Sequence, residues 1–231
     1  MLEKAKGNTF ANTVKIPNES ANDVASIVET ILLDAGLHYV RVGSSINNAP
    51  FINDIDIQVE LSDVVNKFNP ILTKKSSIEK LARIALKDHF QNCGFDVAQS
   101  GINIFLCVPF NGNFHQVDLE VIYHINDIKE FHIHNIPNAS KYKGVHKQLL
   151  IALLAKKKGY LYSAWEGLYK RTSENKKGEF VTRSFSEISN LLIGKFGSEN
   201  LNCVENILSS LPYDYVCMLL SEVEQDKNWI L

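Results

Sequence analysis

No stretch of this 231-residue chain stays apolar for the roughly 20 residues that a bilayer span needs. The first residues, Met1-Leu2-Glu3-Lys4-Ala5-Lys6, are charged and lead into no hydrophobic signal core, so the expected compartment is the cytoplasm. Cysteine is scarce. Cys93, Cys107, Cys203 and Cys217 are far apart and form no Cys-x-x-Cys pair, which argues against a disulfide framework and a zinc knuckle; buried free thiols are the plain expectation. Internal repeats and low-complexity tracts are absent too. What remains is an ordinary globular composition, 45 % apolar and 22 % charged, sufficient for one domain or two small ones with a proper core.

The most informative stretch is residues 40–61, VRVGSSINNAPFINDIDIQVEL. A short apolar run ends in Gly43-Ser44, and Asp54-Ile55-Asp56-Ile57-Gln58-Val59 then alternates polar with apolar. Alternation of period two reads as a strand on which residues i and i+2 share a face. Ile55, Ile57 and Val59 are therefore expected to face a core, while Asp54 and Asp56 project together from the other side. Two carboxylates so placed repel each other unless a cation lies between them, and Mg²⁺ is typically held by one or two carboxylates plus substrate phosphates. A glycine at a strand end lets backbone N–H groups approach a ligand, and the neighbouring hydroxyl adds a hydrogen bond; phosphate is a reasonable ligand for that pairing.

A third carboxylate, Asp118, lies on a similar alternation, Phe114-His115-Gln116-Val117-Asp118-Leu119-Glu120-Val121. Three carboxylates from two strands behind a Gly-Ser turn are the equipment of two-metal phosphoryl transfer. In these residues the chain resembles the polymerase-β-type nucleotidyltransferase superfamily: Gly43-Ser44, then Asp54-Ile55-Asp56, then Asp118, in the family's order, over roughly residues 37–122. The resemblance implies an α/β fold, with a mixed-sheet catalytic core over residues 1–128 and a mainly helical region over 129–231. It implies transfer of an NMP from an NTP to an acceptor hydroxyl with release of pyrophosphate. Asp54, Asp56 and Asp118 are then the catalytic residues and the ligands of Mg²⁺ or Mn²⁺, and Gly43 and Ser44 bind the nucleotide, ATP being the default expectation. Family position favours Asp118 over Glu120 as the third ligand, leaving Glu120 at the rim or behind the ligands, although the two can in principle exchange roles.

Elsewhere the periodicity predicts a helix over 21–35, capped by Ser20 and stopped by Gly36, and a strand over 37–42. A short helix capped by Ser62 or Asp63 ends near Phe68, and another runs from Ser76 or Ser77 to Asn92 with Ile78, Leu81, Ala82, Ile84, Ala85 and Phe90 as its stripe. Strands follow over 95–98, 102–109 and 114–123, the last two joined by Asn111-Gly112, the strongest short hairpin signal in the chain. Phe131-His132-Ile133-His134 would present two imidazoles on one face if extended, a weak hint of zinc set against an ordinary strand edge or loop. Ser184 and Glu187 have capping-box spacing ahead of a helix to Gly194, and two more helices are expected over 200–211 and 213–225.

Charge is uneven. Residues 129–177 carry a net +8, while the segments before and after carry −5 each. Lys141, Lys143 and Lys147 precede or open a predicted helix, where cations oppose the macrodipole, so they ask for another purpose. The resemblance implies contact with a triphosphate, for which Lys143 and Lys147 are the candidates without either being singled out. The aromatic and basic run 161–171 is either base-stacking surface or ordinary packing, and 172–178 is an exposed loop or hairpin. The basic segment favours an RNA 3′ end as acceptor; a small molecule, a protein side chain or a signalling nucleotide are the rivals. A catalytically silent nucleotidyltransferase-like binding module, as in a toxin–antitoxin pair, is the alternative from outside the enzymes. Oligomeric state is not legible.

Overall fold

The computed structural model describes residues 8–46, 50–70, 77–133, 140–174 and 176–223. The chain divides into two compact units, residues 1–125 and 126–231. Among the described residues no helix is long and apolar enough to cross a membrane.

The first unit opens with a short strand β1 (Ile16–Pro17), helix α1 (Asn18–Asp34) and strand β2 (Tyr39–Val42), followed by a 3₁₀ turn at Gly43–Ile46. Strands β3 (Phe51–Ile52) and β4 (Asp54–Glu60) precede helices α2 (Leu61–Phe68) and α3 (Ile78–Asn92). Strands β5 (Asp96–Ser100), β6 (Asn103–Phe110) and β7 (Asn113–Ile122) complete it. Five of these strands form a mixed sheet in the order β2-β4-β7-β6-β5; β4 and β7 run parallel and the other neighbours antiparallel. The chain is thus of the α/β class.

The core follows from the alternation. Ile55, Ile57 and Val59 of β4, Val117, Leu119 and Val121 of β7, and Ile104, Leu106 and Val108 of β6 are all fully buried on one face. Val24, Val28 and Leu32 of α1 and Ala82, Leu86 and Phe90 of α3 cover them. Each large aliphatic removed from water here contributes about 1.5–3 kcal/mol. Because all the large apolar groups go to one face, the other is left to Asp54, Asp56, Gln58, Gln116, Asp118 and Glu120. Ile84, expected in the stripe of α3, is instead 37 % exposed.

Several helix ends differ from expectation for local reasons. Helix α1 begins at Asn18, ahead of Ser20, because the Asn18 N–H already donates to the Pro50 carbonyl at 3.1 Å. Helix α2 is capped by Glu60 rather than by Ser62 or Asp63: the Glu60 Oε1 accepts the Ser62 backbone N–H at 3.5 Å and the Ser62 hydroxyl at 3.1 Å. Asp63 instead accepts the His38 N–H at 3.0 Å, tying the helix to the chain that enters β2. Ser77 caps α3 as expected, while Ser76 lies outside the described residues.

The second unit contains helices α4 (Ile125–His132, which starts on the last residue of the first unit), α5 (Gly144–Lys157), α6 (Phe185–Ile193), α7 (Val204–Ser209) and α8 (Tyr213–Val223). It also contains what the sequence reading lacked, an antiparallel sheet of β8 (Tyr160–Ser163), β9 (Gly167–Arg171) and β10 (Lys177–Thr182) in the order β10-β9-β8. The region is mainly helical, as expected, with this small sheet added to it. Residues 161–171 form its central turn and flanking strands, and 172–178 is the second hairpin. The expected helix over 200–211 is broken into a 3₁₀ turn at Ser198–Leu201 and α7, which is capped by Cys203.

Candidate active site

The parallel pairing of β4 with β7 sets Asp56 beside Asp118, Asp54 beside Gln116, and Gln58 beside Glu120. Side chains at these positions share the face opposite the core. Asp54 and Asp56 are half-buried, whereas Asp118 and Glu120 are buried, so the strip is a carboxylate floor and not a solvated rim. Strand β2, paired on the other side of β4, places Val42 beside Asp56 and so delivers Gly43 onto that carboxylate.

Gly43 is required twice over. Its φ of +74° lies in the left-handed region, and a Cβ built there would overlap the Asp56 Oδ2. Ser44 is exposed, in the first turn of the 3₁₀ segment, while Ser45 beside it is buried with its hydroxyl donating to the Val42 carbonyl at 3.0 Å. Of the two serines, Ser44 is the one exposed to solvent.

Burial and like charge dominate the electrostatics of this strip. Burial raises the Asp56 carboxyl well above its ordinary range, and the nearby Asp54, Glu120 and Asp118 push it further. Asp118 is raised to about 7, chiefly by burial and then by Asp54, with the hydrogen bond from Gln116 opposing the shift. Asp54 is raised by burial, moderated by a backbone hydrogen bond. Glu120 accepts a hydrogen bond from the Gln58 Nε2 at 3.0 Å, and the Gln58 Oε1 is buried without a partner.

These residues suit a hard divalent cation by chemistry: the donors are all oxygen and they carry like charge. Among the described residues no three carboxylate, histidine or cysteine side chains are already gathered around one point. Asp54, Asp56 and Asp118 are the residues that would hold the cation.

The expected lysines belong to the second unit. Lys143 is exposed immediately before α5, and its N–H donates to the His146 Nδ1 at 2.7 Å. Lys147 is buried: its ammonium donates to the Ile133 carbonyl at 3.0 Å and lies 5.2 Å above the Phe185 ring. That gives Lys147 an internal occupation, unlike the phosphate contact expected of it. Burial lowers it to about 7, opposed by the nearby Cys203. Lys157, Lys170, Lys176 and Lys177 pair with Glu222, Glu179, Glu174 and Glu166. Glu166 and Glu174 are already counted in the +8 of the basic segment, so Glu179 and Glu222 are the only acidic partners in these pairs that reduce it further.

His132 ends α4 and its Nε2 lies 2.9 Å from the Ala164 carbonyl, so the paired-imidazole strand does not form there; His134 lies outside the described residues. His115 is buried with its Nδ1 3.2 Å from the Val14 carbonyl. Sequence reasoning missed Gln58 and Gln116. Both could have been found by extending the i, i+2 rule from Asp56 and Asp118 to the next position on each strand.

Compared with known proteins, the chain matches no protein-family model and no curated protein.

Proposed function

We propose that the protein is a metal-dependent nucleotidyltransferase that moves an NMP from an NTP, ATP by default, to an acceptor hydroxyl with release of pyrophosphate. One observation supports this reading most: Asp56 and Asp118 lie side by side on parallel strands, with Asp54 one step away and a side-chain-free Gly43 against Asp56. Asp54 and Asp56 hold the metal-bound triphosphate, Asp118 completes the ligands on the acceptor side, and the Gly43-Ser44 turn contacts the phosphates. Bound Mg²⁺ or Mn²⁺ supplies Lewis-acid activation of the acceptor hydroxyl and charge stabilisation of the leaving pyrophosphate. An RNA 3′ end is the first acceptor to test, with small molecules and proteins next, since so many cations of 129–177 are internally paired.

The silent binding module is the second reading. Each α-labelled NTP is incubated with Mg²⁺ or Mn²⁺, alone and with total RNA, beside an Asp54→Ala/Asp56→Ala control. Label entering RNA or a small product only with the intact carboxylates supports the transferase. NTP binding without transfer to RNA, small-molecule or protein acceptors supports the silent module.

A further inference from the structure

Asp118 is held from behind. The Gln116 Nε2 donates to the Asp118 Oδ1 at 2.8 Å, and the Gln116 Oε1 accepts the backbone N–H of Thr9 at 2.7 Å. Gln116 is only 2 % exposed, so water competes weakly for either end. The Thr9 segment is itself anchored. The Asn8 Nδ2 donates to the Thr13 hydroxyl and to the Asn53 carbonyl, both at 3.1 Å, and the Val14 N–H donates to the Phe114 carbonyl at 2.9 Å. Asn53 directly precedes Asp54, and Phe114 is the second residue of β7. The segment before β1 therefore touches both carboxylate-bearing strands at the end where Asp54 and Gln116 lie.

An amide has one acceptor and two donors on opposite sides of the same plane. Once the Thr9 N–H fixes the oxygen, the nitrogen of Gln116 can point only one way, towards Asp118. A hydrogen bond to one carboxylate oxygen leaves the other to face a ligand, which is how groups behind a metal ligand set its orientation. We infer that Gln116 is a positioning residue for Asp118, locked by the Thr9 backbone N–H, so that the N-terminal segment is part of the cation site. The inference rests on the reading of Asp54, Asp56 and Asp118 as ligands of a divalent cation.

The test is Mn²⁺ binding to the full chain by isothermal titration calorimetry, with the thermal midpoint measured alongside. Asp118→Asn serves as the reference for loss of a ligand. Gln116→Leu keeps the volume and removes both hydrogen bonds, and should weaken Mn²⁺ binding about 10- to 100-fold, the usual effect of losing a group behind a ligand. Thr9→Pro removes the backbone donor alone and should weaken it in the same direction. Thr9→Ala keeps the N–H and should bind as the wild type does. The double variant Gln116→Leu/Thr9→Pro should be no weaker than Gln116→Leu, because the two act through one relay. Gln116→Leu binding within about twofold of wild type while Asp118→Asn fails would overturn the inference and leave the cation site standing. Wild-type protein that binds no Mn²⁺, or binds it unchanged in Asp118→Asn, overturns both. Should Thr9→Pro not fold, the Gln116→Leu arm decides alone.

Discussion

The two faces of the β4–β7 pair are built from interleaved residues and obey opposite rules. On one face Ile55, Ile57, Val117 and Leu119 are wholly buried among helices, and every contact there stabilises the fold. On the other, Asp54, Asp56, Asp118 and Glu120 are partly or largely withdrawn from water with mainly one another for company, and that proximity costs stability. A residue step of one along the strand changes a position's contribution from cohesion to repulsion. Such an acidic face is a liability in an apo protein and becomes useful when something positive binds it.

The contrast can be broken most sharply by Asp56→Asn. In a transfer assay it should lose about 10³-fold or more in rate, yet without metal its thermal midpoint at pH 8 should equal or exceed wild type, because a repelling charge has gone. Ile57→Ala, one residue on, should do the reverse. It should cost about 2–5 kcal/mol in a denaturant titration, with activity lost only as the protein unfolds.

The pH dependence sharpens the same comparison. Because the folded state raises Asp118 to about 7 from an ordinary 3.8, it holds that proton more tightly than the unfolded chain. The associated stability is fully present below the ordinary value and disappears as pH rises through about 7. Melting apo protein across this window should show a falling midpoint, flattened in Asp118→Asn and offset in wild type by added Mg²⁺. The smallest effect is expected in the second unit, where the buried cation Lys147 has a carbonyl and an aromatic face as partners. Lys147→Met should change stability by only about 1 kcal/mol, in either direction, and should leave nucleotide affinity unchanged in an equilibrium binding measurement.

How much of this was legible followed how local its cause was. The β6–β7 hairpin was plain because Asn111 and Gly112 both adopt positive φ, 48° and 74°, the values that a two-residue turn requires and that these residue types permit. The division of β4 into two faces was legible from alternation alone. The pairing of Asp56 with Asp118 was suggested only by the family resemblance, since parallel strands distant in sequence leave no turn to read. The second unit's sheet went unread because strands of four to six residues, rich in aromatics, look the same as packing segments. The burial of Lys147 was legible in the pattern but went unread. Lys147 lies at positions i, i+3, i+4, i+7 and i+8 with Leu150, Ile151, Leu154 and Ala155, on the buried stripe of α5.

The relay from Thr9 to Gln116 joins residues 107 positions apart, and Gln58 meets Glu120 across 62. Contacts of such separation close large loops, so they form late and slowly compared with the hairpin between β6 and β7. During synthesis the chain exposes Asp54 and Asp56 long before β7 emerges to complete their surroundings. The acidic strip is therefore assembled together with the apolar face of the same strand pair, after the local turns have already narrowed the conformations open to the chain. Slow refolding phases should accordingly track recovery of cation binding, while the bulk of the helix signal returns earlier.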